Sequence, residues 1–216
     1  MSTQYNERYF SERDRLDIHI AKSIEILMKD NGLKRAIDVG CGTGKLVQFL
    51  NENGFEAYGC DNSSIAVKST QKINNKNRIV KASATNLPFP SESFDLLTSV
   101  SLIEHLKKSE LIDFLREAKR VLKQNGFIFI VTPNFASPWR FIQGKKWFGY
   151  SDPTHISFFT PLSLANLLKD YGFYNPKFWF KTNYPSFWKN FVYYILFSTP
   201  FCFIRNSFWI AARKKL

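Results

Sequence analysis

Apolar positions along this chain fall into two alternating rhythms, short unbroken runs and helically spaced sets. Residues 10–30 carry Leu16, Ile20, Ile24, Leu27 and Met28 at helical spacing, with Ser11 and Asp14 resembling a capping box at the start. A run over Arg35–Val39 then predicts a buried strand, and Leu46, Val47, Phe49 and Leu50 predict a helix that Gly54 ends. Phe55–Cys60 predicts a second strand closing on Asp61, followed by a helix from Ser63 to about Ile73 and a third strand over Arg78–Ala82. Asp95–Val100 predicts the fourth strand, 109–123 an amphipathic helix, and Phe127–Val131 the fifth strand after Gly126. A helix opened by Pro161 and closed at Gly172, a sixth strand at Phe178–Phe180 and a seventh at Ser207–Arg213 complete the α/β alternation.

The junction of the first strand and its helix carries the chemistry. Asp38-Val39-Gly40-Cys41-Gly42-Thr43-Gly44 places three glycines two apart where an apolar run stops. Glycines there permit positive φ and close backbone approach to a ligand, and a helix start offers free N–H groups to a polar or anionic one. A phosphate-cradling loop of the form G-x-x-x-x-G-K-[ST] is excluded, because Val39 and Leu46 occupy two of its required positions. The dinucleotide fingerprint G-x-G-x-x-G fails because position 45 is Lys45.

The Asp-x-Gly-x-Gly-x-Gly form resembles the first motif of class I S-adenosylmethionine (SAM)-dependent methyltransferases of the ubiquinone-pathway-like group. Leu87-Pro88-Phe89 through Ser93-Phe94-Asp95 and the post-strand Glu104-His105 pair resemble later segments of the same family, as does His155-Ile156-Ser157-Phe158-Phe159-Thr160. The resemblance covers nearly the whole chain from Arg35 onward. It implies a Rossmann-like three-layer α/β sandwich with a seven-stranded, mostly parallel sheet whose last strand is antiparallel, forming one domain over residues 1–216. It implies SAM as cofactor, held by Asp38, Gly40, Cys41, Gly42 and Gly44, with Asp61 and Asn62 at the ribose and Ser83, Ala84 and Ser99 nearby. The family's adenine-binding aspartate is Ser83 here, a weaker, uncharged acceptor.

Methyl transfer from a sulfonium is an in-line displacement, so the protein supplies alignment and removal of the acceptor's proton. His105 and His155, two of only three histidines, are the candidate bases, with Glu104 beside them. Some relatives use Glu-x-x-Glu-His plus a distant histidine as a divalent metal site. Ser101 stands at the first glutamate position here, and no metal is expected.

Composition bears on the acceptor. Of 36 aromatic residues, 25 lie between Phe135 and Trp209. Residues 135–160 are expected to form a lid over the acceptor pocket and residues 1–34 a helical cap, with Tyr5, Tyr9 and Phe10 placed to close over a ligand. Residues 185–206 form an apolar insertion whose core, Phe191–Ile204, is 14 residues long, too short to span a bilayer but suited to its interface. With a net charge of +12, this suggests peripheral membrane contact through 187–204 and a hydrophobic, lipid-linked or saccharide-type small-molecule acceptor. Three cysteines without metal spacing and a polar N-terminus suggest a cytoplasmic location, at the inner face of the membrane where it makes contact. A nucleic-acid methyltransferase would also suit the charge, but Thr132-Pro133-Asn134 does not match a base-flipping motif. A non-catalytic SAM-binding protein is the other alternative.

Overall fold

The computed structural model describes residues 16–70, 78–178 and 205–215. Seven strands form one sheet: β1 (Arg35–Val39), β2 (Glu56–Asp61), β3 (Ile79–Lys81), β4 (Phe94–Val100), β5 (Leu122–Pro133), β6 (Phe173–Lys177) and β7 (Ser207–Lys214). Their spatial order is β3-β2-β1-β4-β5-β7-β6, with β1 to β5 parallel and β7 antiparallel to both neighbours. The chain order reverses beside β1, between β2 and β4, and ligands in open α/β sheets bind outside the carboxyl ends at such a point.

The longer helices are α1 (Ile18–Asp30), α2 (Lys45–Glu52), α3 (Ser64–Thr70), α4 (Lys108–Val121) and, beyond two short helices described below, α7 (Pro161–Asp170). Strand residues alternate between two cores, as a pleated sheet covered on both faces requires. Ile37, Leu97, Ile128 and Ile130 pack with Phe114 and Leu115 of α4 and with Leu164 of α7. Ala36, Leu96, Phe129 and Val131 pack with Ile24 and Met28 of α1 and with Val47 of α2.

Three boundaries differ from the sequence pattern. Helix α1 starts at Ile18, because the Asp17 carboxylate caps it, accepting from the N–H groups of His19 and Ile20 at 2.9 and 3.2 Å. The Ser11–Asp14 capping box lies outside the described residues, as do Tyr5, Tyr9 and Phe10. Strand β5 begins five residues early, since the chain turns extended at Leu122 and passes Asn125 at φ 60°. Strand β6 is Phe173–Lys177, ahead of the expected 178–180, of which 179–180 lie outside the described residues. Gly172, at φ 84°, turns the chain out of α7 directly into pairing with β7. Pro176 is tolerated because β6 is the sheet edge. The apolar stretch 187–204 also lies outside the described residues. No helix among the described residues is long and apolar enough to cross a membrane.

Candidate active site

A cleft of about 1080 Å³ opens at the carboxyl ends of β1, β2, β4 and β5. One wall is the glycine loop. Gly40 takes φ 77°, and a Cβ there would meet Leu102 at 3.0 Å, so the loop packs against the far wall only without a side chain. Gly42, at φ 50°, faces open space, leaving its backbone approachable. Gly44 (φ 71°) is the N-cap of α2; it shapes the turn, while Thr43 and Lys45 on either side line the cleft.

Two carboxylates face each other across this end. Asp38 is 5% exposed, and Thr98 donates its hydroxyl to Oδ1 at 2.8 Å. Burial, with the like charge of Asp61 adding to it, pushes its pKa up to about 7. Asp61 accepts from the N–H groups of Gly42 and Ser63 at 2.9 and 2.8 Å, and burial raises it despite those bonds. Neither is in a salt bridge among the described residues. A buried and a half-buried acid, with no salt bridge among the described residues, fit a ligand that is cationic at one end and rich in hydroxyl donors at the other. SAM, with its sulfonium, ammonium and ribose, has that character.

The remaining sequence candidates divide. Cys41, Asn62, Ser83 and Ala84 line the cleft as expected. Ser83 shares its hydroxyl locally, 2.8 Å from that of Thr85, which also lines the wall. Ser99 does not belong to the site: it is fully buried in β4 and absent from the cleft lining, because Val100 takes the cleft-facing place at the strand end. The Leu87-Pro88-Phe89 segment makes no wall of the cleft either. Helix α4 clasps it: Glu117 accepts from the Leu87 N–H at 2.7 Å, while Arg120 donates to the Leu87 and Phe89 carbonyls.

The opposite wall gathers the other chemistry. After β4, Ser101 is held at φ 52°, an uncommon conformation for a residue with a side chain, and a 3₁₀ turn (Ile103–His105) follows. The Glu104 carbonyl accepts from the N–H groups of Ile156 and Ser157 at 2.9 and 3.0 Å, bringing a segment fifty residues away against this turn. The rings of His105 and His155 meet edge to face, with centroids 4.7 Å apart.

Hydrogen bonds fix the tautomers of both rings. Burial pushes the Asp152 carboxyl up, but the Thr154 hydroxyl and N–H, with the charges of His155 and His105, hold it below the ordinary value. Ionised, Asp152 only accepts, so Thr154 donates its hydroxyl to Oδ1 and must accept from Nδ1–H of His105, 2.8 Å away. Nδ1 of His155 lies 2.8 Å from the Gly149 carbonyl, which also only accepts. In their neutral form both rings therefore carry their proton on Nδ1 and the lone pair on Nε2.

Glu104 lies behind them, 1% exposed. Thr132 donates to its Oε2 at 3.0 Å, while Oε1 is buried with no partner at hydrogen-bond distance among the described residues. Burial, reinforced by the charge of Asp152, pushes its pKa up to about 7. One ligand atom from each of Glu104, His105 and His155 lies within 4.8 Å of the others. As a donor set, one carboxylate and two imidazoles suit a transition-type divalent cation better than Mg²⁺.

Of the expected lid, Phe148, Ser151, Asp152 and His155 reach the cleft. Its first part, α5 (Pro138–Gln143), buries none of its residues. Trp147 and the short helix α6 (Phe148–Ser151) follow, and Trp147 is the anchor. Its ring is fully buried, its N–H donates to Asn206 at 3.0 Å, and it packs so closely on Gly149 that a Cβ there would lie 2.1 Å from it. Thr132, Asp152 and Thr154 are site residues that the sequence pattern does not single out; the Asp-x-Thr-His spacing 152–155 is the signal that carries two of them.

The fold and the two-walled cleft define a Rossmann-like, SAM-dependent methyltransferase domain. Comparison with known proteins agrees: residues 6–176 match a family of methyltransferase domains, and the chain belongs to that family. It is 27% identical over 121 residues to a ubiquinone biosynthesis O-methyltransferase of Pelagibacter ubique, covering 54% of this chain and 50% of that protein. It is 24% identical over 172 residues to a demethylmenaquinone methyltransferase of Thermotoga maritima, covering 69% and 74%. The chain thus spans about half the length of the first of these relatives. Among solved structures, a SAM-dependent methyltransferase from Archaeoglobus fulgidus superposes with a TM-score of 0.65 at 22% identity, over 90% of this chain and 94% of that one.

Proposed function

We propose that this protein transfers a methyl group from SAM to a hydroxyl of a small hydrophobic, lipid-linked or saccharide-type acceptor. The observation that carries the reading is the pair of imidazoles lining the cleft with the glycine loop, each held through Nδ1 by a hydrogen bond that puts the neutral ring's lone pair on Nε2. Both curated relatives named above are quinone-pathway methyltransferases by name, which supports an acceptor with a hydrophobic body.

SAM supplies an electrophilic methyl group on a sulfonium. Asp38 and Asp61 hold its cationic and ribose portions, and the glycine loop admits it without side-chain obstruction. At the opposite wall, Nε2 of His105 would accept the hydroxyl proton as the acceptor oxygen takes the methyl group, the methyl–sulfur bond breaking and the sulfur leaving as a neutral thioether. The positive charge then on the ring is stabilised through Thr154 by Asp152. His155 and the Glu104 carboxylate hold the acceptor side polar, and imidazolium returns its proton to solvent after product departs.

The test is an acceptor screen with mass detection of the +CH₃ product, run on the wild type and on His105→Gln and His155→Gln. Loss of turnover with SAM affinity intact is the expected result. Unchanged turnover in both variants and in their combination overturns the base assignment. Activity lost to EDTA and restored by Mn²⁺ would reassign Glu104, His105 and His155 to metal binding. Transfer to RNA with steep salt dependence would redirect the acceptor class.

A further inference from the structure

Helix α5 is built the wrong way round for a helix that serves its own core. A surface helix normally turns its apolar stripe inward. Here Trp139 and Ile142, three apart and so on one face, are 44% and 72% exposed, and Phe141 beside them is 72% exposed. Arg140 folds back between two rings: it donates to the Phe135 carbonyl at 2.8 Å, and its guanidinium lies over the Phe135 and Phe141 rings at 4.1 and 4.2 Å, leaving Phe141 72% exposed all the same. The segment does not need α5 for packing, because Trp147 holds it to the body of the protein. Immediately after α5, the exposed Lys145 and Lys146 add two positive charges to the same rise, and neither is in an ion pair among the described residues.

We propose that the α5 rise, Trp139, Phe141 and Ile142 with Lys145 and Lys146, is a docking surface for an anionic lipid bilayer. The occupant follows from charge and composition. An indole and two large apolar side chains on a single turn suit the depth of the headgroups, and adjacent lysines are attracted to an anionic leaflet. A chain of net charge +12 adds to that attraction at longer range. The rise is also continuous with the cleft. Phe148 packs edge-on against Trp147, with centroids 5.4 Å apart, and lines the cleft itself. Docking by α5 therefore brings the cleft mouth to the lipid surface. The surface stands on its own residues and does not depend on the identity of the methyl acceptor.

The experiment is flotation of the full chain with vesicles of phosphatidylcholine, alone or mixed with phosphatidylglycerol. Wild type, Phe141→Ser/Ile142→Ser and Lys145→Glu/Lys146→Glu are compared, each checked for an unchanged thermal midpoint and SAM affinity. The expected result is binding of wild type to the anionic vesicles only, weakened by salt, and a loss of about tenfold or more in partitioning for each double variant. Absence of wild-type binding overturns the proposal. So does undiminished binding by both variants, which would move membrane contact to another segment such as 187–204. A dimer that only Phe141→Ser/Ile142→Ser converts to monomer overturns it too, since a second copy would then be what covers the face.

Discussion

The two walls of the cleft are built by opposite strategies. The cofactor wall, from Asp38 to Asn62, is assembled by neighbours in sequence: a strand, a glycine turn, a helix and the end of the next strand. Its geometry is mostly local: the Gly42 N–H reaches Asp61 across nineteen residues, while Thr98, which bonds Asp38, comes from sixty residues on. The acceptor wall is assembled from distant pieces. His105 follows β4, His155 and Thr154 come from the segment after β5, and main-chain bonds from Ile156 and Ser157 to Glu104 join them. The lesson is a division of labour: the wall proposed for the cofactor is a contiguous motif, while the residues proposed to select and deprotonate an acceptor ride on a segment that packs against the sheet end.

If the walls are separable, substitutions should separate too. His105→Gln is expected to lower kcat by about 10²–10⁴-fold, the usual contribution of a general base, with SAM affinity by calorimetry unchanged. Asp61→Ala should do the reverse, weakening SAM binding about ten- to hundredfold, as removal of a charged hydrogen-bond acceptor does, while kcat at saturating SAM persists. A variant that moved both readings together would break the comparison. Thr154→Val should lower kcat/KM about tenfold by cutting the chain to Asp152. Imidazolium then loses support, so the acid limb of the kcat/KM profile moves to lower pH, and Thr154→Ser restores it.

The smallest effect concerns stability. The folded protein keeps a proton on Asp38 up to about 7, whereas the unfolded chain releases it near 3.8. Folded protein binds more protons in that window, so the thermal midpoint of the ligand-free protein should fall as pH rises through it. Glu104, raised to about 7 by burial, acts in the same direction. Asp38→Asn should flatten part of that fall in a scanning-fluorimetry pH series. Asp95 runs the opposite way. Burial raises it, but Lys123 and the N–H groups of Lys34 and Arg35 outweigh burial and hold it low, so its stabilisation is lost only in acid.

What the sequence makes legible follows the same division. The glycine spacing and Asp61 specify their own neighbourhood, because φ > 0 and strand ends are local properties. The seven-stranded, mostly parallel sheet and its antiparallel last strand came with the family resemblance, and the structure agrees. The placement of β6 was missed because Gly172 marks the end of α7 without revealing that pairing begins at the next residue. Ser99 was misplaced because a strand's alternation cannot show which of two adjacent residues ends on the open side. Thr132 and the Asp152–Thr154 pair depend on contacts across the sheet end, for which residue type alone gives no sign. Leu87-Pro88-Phe89 was recognisable as a segment, yet its role is packing against α4 rather than lining the cleft.

The bond between the Glu104 carbonyl and the N–H groups of Ile156 and Ser157 has a consequence for how this wall tolerates change. It is written in main chain, so an alanine scan passes over it silently, and drift at positions 156 and 157 leaves it intact. Only proline removes the donor. The acceptor wall can therefore vary its side chains freely while keeping His155 beside His105, a route by which one scaffold could acquire new acceptors without separating the proposed pair of bases.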